Sequence, residues 1–206
     1  QEGIIELMVR LAQSGRSLVR LKGGDPYIFG RGGEEAEALA AAGIACDTVP
    51  GISAAQGAAA ATGIPLTHRD HAAMLVFATG HLQGEEGERT VALDWAALAR
   101  PHQTVVIYMG VGTLPIICAQ LIAHGLPAST PAAMIERATL PGQRSIVGTL
   151  QTLPQLSVAY GVNPPALVMI GDTVALHARI GSSAEVLTGF PAVVDAASPQ
   201  ALACTA

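Results

Sequence analysis

Short apolar runs that end at a glycine constrain this chain more than any other feature. Residues 105–109 and 166–170 are two such runs, and a glycine follows each of them. Runs of this length fit strands that are covered on both faces, as in a mostly parallel sheet. They fall far short of the roughly 20 apolar residues that a membrane helix requires. We therefore expect a mostly parallel sheet with a large core and no membrane partner.

Helix and strand patterns alternate along the chain, which indicates βαβ units and an α/β fold class. Strands are predicted at 17–21, 44–49, 74–78, 104–109, 132–136, 144–149 and 166–170. Helices are predicted at about 3–14, 33–42, 53–62, 95–99, 114–124 and 152–160, with Asp94 capping the helix that starts at 95. Residues 82–93 are polar and predict a surface loop.

Glycines at 110 and 112 interrupt a strand-to-helix step and suggest a boundary between two domains. We predict an N-terminal α/β domain over 1–110 and a smaller α/β domain over 111–178. Residues 179–206 are rich in Ser, Ala and Pro with weak periodicity, so a disordered tail is expected there.

The glycine-rich loop within 21–35 is the first candidate for a ligand site. Gly23 and Gly24 lack a Cβ, so their backbone can lie directly against a ligand. Asp25 adds one carboxylate. In parallel α/β sheets, ligands bind in such loops at the carboxyl ends of strands. A tight turn without any ligand is the alternative.

Ser53 begins a helix of small residues, and its hydroxyl is expected to cap that helix. The first N–H groups of the helix then point to the sheet edge that carries the glycine loop. Met109, at the end of another predicted strand, completes the outline of a cleft. Backbone donors, small side chains, one carboxylate and a thioether suit a neutral or cationic nucleoside-like ligand better than a polyphosphate.

Charge and cysteine content narrow the function classes. The net charge of −5 argues against a nucleic-acid partner. Ten of the eleven cations are arginine, which is compatible with a small polyanionic ligand. The cysteines at 46, 118 and 204 form neither a metal pair nor a disulfide framework, as expected in a reducing cytoplasm.

Other catalytic motifs fail on their spacing. His68 and His71 have HxxH spacing, but only His81 is near as a third ligand, so no metal site is expected. The GRGG run at 30–33 is neither a P-loop nor the GxGxxG of a dehydrogenase. A hydrolase elbow, G-x-S-x-G, is absent from the sequence.

Several motifs, in order, resemble the uroporphyrinogen-III C-methyltransferases of the tetrapyrrole methylase superfamily. They are LKGGDPYIFGRGGEEAEAL, VPGISAA, GIPLTHRD, TGH, LDW, VIYMGVG and PALVMIGDTVAL. The resemblance runs from Gln1 to about Leu176. It implies two α/β domains with the cofactor, S-adenosylmethionine, in the cleft between them, and a homodimer.

The resemblance also implies roles for residues, position by position. The cofactor-binding set would be Gly23, Gly24, Asp25, Ile28, Ser53, Ala54, Met109 and Ala138. The positions on the tetrapyrrole side would be Arg31, Glu34, Arg69 and His81, and Met109 also suits the substrate face. The alternatives are a surface charge for Arg69, a favourable charge in the first turn of a helix for Glu34, and a turn hydrogen bond for His81. Uroporphyrinogen carries eight carboxylates, which arginines bind well.

The implied reaction is methyl transfer to two pyrrole carbons in turn, which gives precorrin-2. The family begins with a strand and a GxGPGD turn, followed by an Asp and a Lys as acid–base pair, and none of these is found here. We therefore expect an N-terminally truncated form without catalytic acid–base residues of its own. A methyltransferase for another tetrapyrrole or corrinoid, and a non-catalytic fragment, remain alternatives. The pathway fed, whether sirohaem, cobalamin or haem d1, stays open.

Overall fold

The computed structural model describes residues 1–82, 91–181 and 185–188. The helices are α1 Glu2–Gln13, α2 Gly32–Ala41, α3 Ala54–Thr62, α4 Trp95–Leu98, α5 Leu114–Ala123, α6 Leu153–Ala159 and α7 His177–Ile180, with a 3₁₀ helix at Asp172–Leu176. The strands are β1 Met74–Thr79, β2 Gln103–Tyr108, β3 Pro131–Glu136, β4 Arg144–Thr149, β5 Ala166–Ile170 and β6 Glu185–Thr188. The predicted α/β class is confirmed.

The six strands form one sheet in the order β1-β2-β5-β3-β4-β6. Two neighbouring pairs, β1–β2 and β4–β6, are parallel, whereas β5 runs antiparallel to both β2 and β3, and β3 to β4. The expectation of a mostly parallel sheet is therefore wrong for the described chain. The reason is local: the connection from β3 to β4 is too short for a crossover helix, so these strands form a hairpin.

Side chains of the central strands alternate between two cores, one on each face of the sheet. In β2, Val105 and Ile107 face the side of α5 and α6, while Val106 faces the side of α3. The same period of two divides β3 and β5, as the geometry of strands requires. Both faces are therefore covered, and the apolar character of the runs at 105–109 and 166–170 follows from this.

Two predicted strands, at 17–21 and 44–49, are extended but pair with no described strand, so the prediction is wrong for both in the described chain. Their apolar side chains face outward; Val19 is 94% exposed and Leu21 84%. Apolar, β-branched residues predict only that a segment fits a pleated surface. A strand also needs a neighbour that supplies the hydrogen-bond ladder, and sequence pattern alone cannot show one.

The other predicted elements lie within two residues of their observed bounds, and Asp94 Oδ1 accepts the Ala97 N–H as a helix cap at 3.0 Å. Strand β6 lies inside the segment expected to be a disordered tail and pairs parallel to β4. The predicted loop at 82–93 falls mostly outside the described residues. The division at residue 110 stays a prediction. In the described ranges, the longest helix has 12 residues, and none has the length and apolar character of a membrane span.

Candidate functional site

A cavity of about 890 Å³ opens at one edge of the sheet. The ends of β2 and β3 and the beginning of β5 meet at this edge, since β5 runs antiparallel to both. The cavity is lined by Gly23, Gly24, Ile52, Ser53, Ala54, Gly57, Ala58, Tyr108, Met109, Val111, Gly112, Ile135, Arg137, Ala138, Thr139, Leu140, Pro164, Pro165, Ala166 and Leu167. A mostly apolar pocket of this volume is typical of small-molecule sites.

The glycine loop and the start of α3 form one wall of the cavity. Gly24 has φ of +93°, and a Cβ there would lie 3.3 Å from the Ile52 carbonyl oxygen and from the Ser53 Cα. Any other residue would therefore be strained and would push the loop away from α3. At Gly23 a Cβ would meet no atom within 4 Å, so the backbone is open to the cavity. This is a cradle against which a ligand can lie directly.

Asp25 holds this loop in place through its carboxylate. Its Oδ1 accepts the Tyr27 N–H at 2.9 Å, and its Oδ2 accepts the Gly51 N–H at 3.2 Å. Asp25 is not among the cavity-lining residues. We expected this carboxylate to contact a ligand; in the structure it connects the glycine loop to the Pro50-Gly51 turn.

Ser53 occupies the N-cap position of α3, but its hydroxyl does not cap the helix, contrary to expectation. Ser53 Oγ accepts the Asp25 N–H at 3.2 Å, which joins α3 to the glycine loop. Tyr108 replaces it as the cap, because its Oη accepts the Ala55 N–H at 3.1 Å. Tyr108 carries no sequence signal for this role, since no spacing rule links a residue at the end of β2 to a helix that begins 54 residues earlier.

The Tyr108 ring contacts two phenylalanine rings. Its centroid is 4.8 Å from that of Phe29 and 5.8 Å from that of Phe77. Burial raises the pKa of Tyr108, although hydrogen bonding with the Ala55 N–H and with the Ser53 side chain acts in the opposite direction. The phenol is therefore neutral at physiological pH, with its proton available for a hydrogen bond.

Arg137 is the one charged residue among the described residues that line the cavity. Arg137, Thr139 and Met109 all line it, and all have positive φ, at 51°, 67° and 54°. Residues in this region cost of order 1 kcal/mol or more each and cluster at ligand sites. Arg137 was not among the expected site residues, although it adjoins Ala138, which was.

Six of the eight expected cofactor residues line the cavity: Gly23, Gly24, Ser53, Ala54, Met109 and Ala138. Asp25 and Ile28 do not line it; the Ile28 N–H donates to the Asp25 carbonyl oxygen at 3.2 Å, within the same loop. The structure thus brings together residues from four separate segments of the chain. Their role in binding a cofactor remains a prediction.

Arg31 and Glu34, expected on the tetrapyrrole side, contact each other at the start of α2. Arg31 Nη2 donates to Glu34 Oε2 at 2.7 Å, and Arg31 Nε donates to Oε1 at 3.0 Å. Both side chains are about half exposed, and neither residue lines the cavity. The hydrogen bond from Arg31 lowers the pKa of Glu34. Each charge therefore already has a partner.

Arg69 and His81 are separated by the length of β1. Arg69 lies in an exposed turn closed by the His68–Ala72 bridge, before the strand begins. His81 follows the strand, and its N–H donates to Thr79 Oγ1 at 3.3 Å. A strand of six residues spans roughly 20 Å. At the end of β1, the Gly80 N–H donates to the carbonyl oxygen of Tyr108, a cavity-lining residue, at 2.7 Å. His81 follows Gly80 and is therefore on the cavity side of β1, whereas Arg69 is at the opposite end.

A buried carboxylate anchors the glycine loop from the other side. Glu35, in α2, accepts hydrogen bonds from Lys22 Nζ at 2.8 Å, Gln1 Nε2 at 2.9 Å and Arg20 Nε at 3.2 Å. Burial opposes ionisation, but the hydrogen bonds from Lys22, Gln1 and Arg20 outweigh it and lower the pKa of Glu35 from 4.5 to about 2. Lys22 directly precedes Gly23, so this cluster positions the cavity wall.

Potential metal ligands do not converge. The His68 and His71 ring centroids are 4.7 Å apart. Among residues 1–82, 91–181 and 185–188, however, no group of three or more His, Cys, Asp or Glu side chains is placed to hold a metal ion. Cys46 is exposed, and burial raises the pKa of the Cys118 thiol to about 12. The Cys204 prediction lies outside the described residues.

A mixed sheet with a glycine-walled cavity at the ends of its strands defines an α/β protein with a cavity of the size typical of small-molecule sites. The family of tetrapyrrole (corrin/porphyrin) methylases matches residues 1–154, and the chain belongs to this family. It is 54% identical over 180 residues to a sirohaem synthase of Nitrosospira multiformis, covering 87% of this chain and 37% of the relative. The chain thus spans well under half the length of such curated relatives.

Solved structures agree with this assignment. A uroporphyrin-III C-methyltransferase from Thermus thermophilus superposes with a TM-score of 0.73 at 39% identity, covering 88% of this chain and 76% of that one. Another structure of a uroporphyrin-III C-methyltransferase from this organism, complexed with S-adenosylhomocysteine, gives a TM-score of 0.71 at 36% identity, covering 85% and 75%.

Proposed function

We propose that the cavity binds S-adenosylmethionine and that the protein transfers its methyl group to a tetrapyrrole carbon. The observation that carries this proposal is the wall formed by Gly23, Gly24, Ser53 and Ala54 at the ends of β2 and β3. Membership of the tetrapyrrole methylase family supports it, as does the similar structure that contains S-adenosylhomocysteine.

The residues present fit a neutral or cationic nucleoside. The lining is mainly apolar side chains and exposed backbone, and the open space at Gly23 admits a ligand against the main chain. When bound, S-adenosylmethionine supplies an electrophilic methyl on a sulfonium. The protein has to hold the carbon nucleophile in line behind that methyl, which is mainly a positioning task. Met109, 54% exposed at the cavity, suits contact with either cofactor or substrate.

The substrate we propose is uroporphyrinogen III, methylated at two pyrrole carbons to give precorrin-2. Arg137 offers its guanidinium to the substrate carboxylates, and His81 lies at the same end of β1 and β2. Arg31, Glu34 and Arg69 remain proposals for this side. We further propose a cytoplasmic homodimer that feeds sirohaem or cobalamin synthesis. Sirohaem has the support of the similar sirohaem synthases.

Binding is tested by calorimetric titration of the 206-residue chain with S-adenosylhomocysteine. Gly23→Ala places a methyl group in the open space of the cavity without a clash in the protein. We expect it to weaken binding at least about tenfold, the usual scale for an overfilled site. Gly3→Ala, on α1 and also without a neighbour within 4 Å, is the matched control and leaves binding unchanged. Equal affinity of Gly23→Ala and wild type would contradict the proposed site.

The reaction is tested by incubating the protein with S-adenosylmethionine and uroporphyrinogen III under anaerobic conditions. Mass spectrometry of the product then shows whether two methyl groups have been added. Methylation of another tetrapyrrole, with uroporphyrinogen III untouched, would favour the alternative substrate. Cofactor binding without any methyl transfer would mark the chain as a non-catalytic fragment.

A further inference from the structure

Two hydroxyl groups of the cavity wall, those of Ser53 and Tyr108, each accept a backbone hydrogen bond. Ser53 Oγ accepts the Asp25 N–H, and Tyr108 Oη accepts the Ala55 N–H. Each hydroxyl therefore still has one proton to donate. A contact between the Ser53 side chain and the Tyr108 hydroxyl uses only one of the two protons. In the part of the chain that the structure describes, at least one hydroxyl proton at the cavity thus has no protein acceptor.

The two hydroxyl-bearing residues differ in their burial at the cavity. Ser53 is 3% exposed, whereas Tyr108 is only partly buried, and both line the cavity. A hydroxyl proton rotates to suit its partners, so a ligand acceptor beside Tyr108 leaves Ser53 as the donor to Tyr108 Oη. Tyr108 Oη then accepts from Ser53 and from the Ala55 N–H, and its own proton is left for the ligand.

We propose that the Tyr108 hydroxyl donates this proton to an acceptor atom of the ligand in the cavity and thereby determines which ligands bind. The inference rests on the proposed function, which supplies the ligand. The acceptor is either a carboxylate oxygen at the amino-acid end of S-adenosylhomocysteine or a nitrogen or oxygen of its nucleoside. A site built around such a donor discriminates against ligands without an acceptor at that point.

The rest of the structure holds Tyr108 in position for this role. Phe29 and Phe77 pack against its ring, and the Ala55 N–H restricts its oxygen. The donor is therefore oriented before the ligand arrives. Preorganisation of this kind reduces the entropy that binding has to overcome.

The test is titration of wild type, Tyr108→Phe and Tyr27→Phe with S-adenosylhomocysteine. Tyr27 is the matched control, because its hydroxyl hydrogen-bonds Thr48 Oγ1 on the exposed surface and does not line the cavity. Loss of one net hydrogen bond weakens binding of Tyr108→Phe about tenfold. Tyr27→Phe binds as wild type does.

A spectroscopic measurement separates donation from a merely structural role. A tyrosine hydroxyl that begins to donate a hydrogen bond shifts the near-ultraviolet absorption of its ring to longer wavelength. We expect this shift on ligand binding in wild type and in Tyr27→Phe, and its absence in Tyr108→Phe. Weaker binding of Tyr108→Phe without any such shift in wild type would overturn the inference, as would unchanged affinity.

A second ligand locates the acceptor. 5′-Methylthioadenosine lacks the amino-acid end, so a defect of Tyr108→Phe that persists with it places the acceptor on the nucleoside. A defect that disappears places the acceptor on the carboxylate, and either result supports donation. Failure of wild type to bind S-adenosylhomocysteine would refute the proposed function itself, whereas binding by wild type and Tyr108→Phe alike would refute only this inference.

Discussion

The Glu35 carboxylate lies 2.8 Å from the Lys22 ammonium, and both side chains are at most 10% exposed. Lys22 is the residue before Gly23, and Glu35 is in the first turn of α2. The pair therefore connects the cavity wall directly to the helix that follows it. A second pair in the same region, Arg31 with Glu34, is as short at 2.7 Å but about half exposed. The pairs differ in burial, and Glu35 also accepts hydrogen bonds from Gln1 and Arg20, so we expect their loss to have unequal effects on stability.

We expect Lys22→Met to lower the free energy of unfolding by roughly 2 kcal/mol, since it leaves a buried carboxylate with fewer partners. Urea unfolding followed by circular dichroism measures this change. Arg31→Ala, which breaks the exposed pair, is the control and should leave stability nearly unchanged. Equal effects of the two substitutions would contradict the anchoring role of Lys22.

The free energy of unfolding should depend on pH because Glu35 has a lowered pKa in the folded state. Its folded-state pKa of about 2 lies below the ordinary 4.5, so the folded state favours the ionised carboxylate. This contribution is fully present above about pH 4.5 and is lost as the pH falls through about 2. Unfolding measured from pH 6 downward should show a stability gap between wild type and Glu35→Gln that narrows with acid. A gap independent of pH would refute the ionised cluster.

Asp25→Ala should weaken binding of S-adenosylhomocysteine indirectly. The substitution frees the N–H groups of Tyr27 and Gly51, which loosens the glycine loop at the cavity. We expect roughly tenfold weaker binding, and Asp25→Asn should retain part of the affinity because its amide oxygen still accepts one hydrogen bond. Calorimetric titration measures both. An asparagine variant as weak as the alanine variant would indicate that the charge itself contacts the ligand.

Arg137→Ala should raise the KM for the tetrapyrrole about tenfold or more while changing the KM for S-adenosylmethionine less. Arg137 is a cavity-lining residue, and charge-assisted bonds to carboxylates are stronger than neutral ones. Alanine, like arginine, has a Cβ, so the variant keeps the same backbone strain at the positive φ of residue 137 as the wild type. Arg69→Ala is the comparison, in the turn before β1, and should have the smaller effect. A larger effect at Arg69 would place the substrate elsewhere.

Strands and helices with their own local signals were predictable. The apolar runs of β2 and β5 and the Asp94 cap show directly in the sequence, and each is found within a residue or two. The extended segments at 17–21 and 44–49 were not predictable as unpaired, because pairing depends on a neighbour. The antiparallel position of β5 between β2 and β3 was likewise not predictable from the sequence pattern.

The residues of the candidate site also divide into those with a local sequence signal and those without one. Gly23, Gly24 and Ser53 carry local signals of close backbone approach and helix capping, and all three line the cavity. Tyr108 and Arg137 carry none, since an aromatic residue at a strand end and an arginine in a turn have many ordinary explanations. Only their contacts across the sheet edge distinguish them.

The amino-acid sequence by itself determined the α/β class, most of the helix and strand positions, and the glycine loop with the residues around it. These depend on periodicity, capping and the missing Cβ of glycine, which act over a few residues. The tertiary structure alone decided that the sheet is mixed, that Tyr108 rather than Ser53 caps α3, and that Glu35 is held ionised by Lys22. Each of these depends on groups far apart in the chain, whose meeting is set by packing of the whole sheet and its helices.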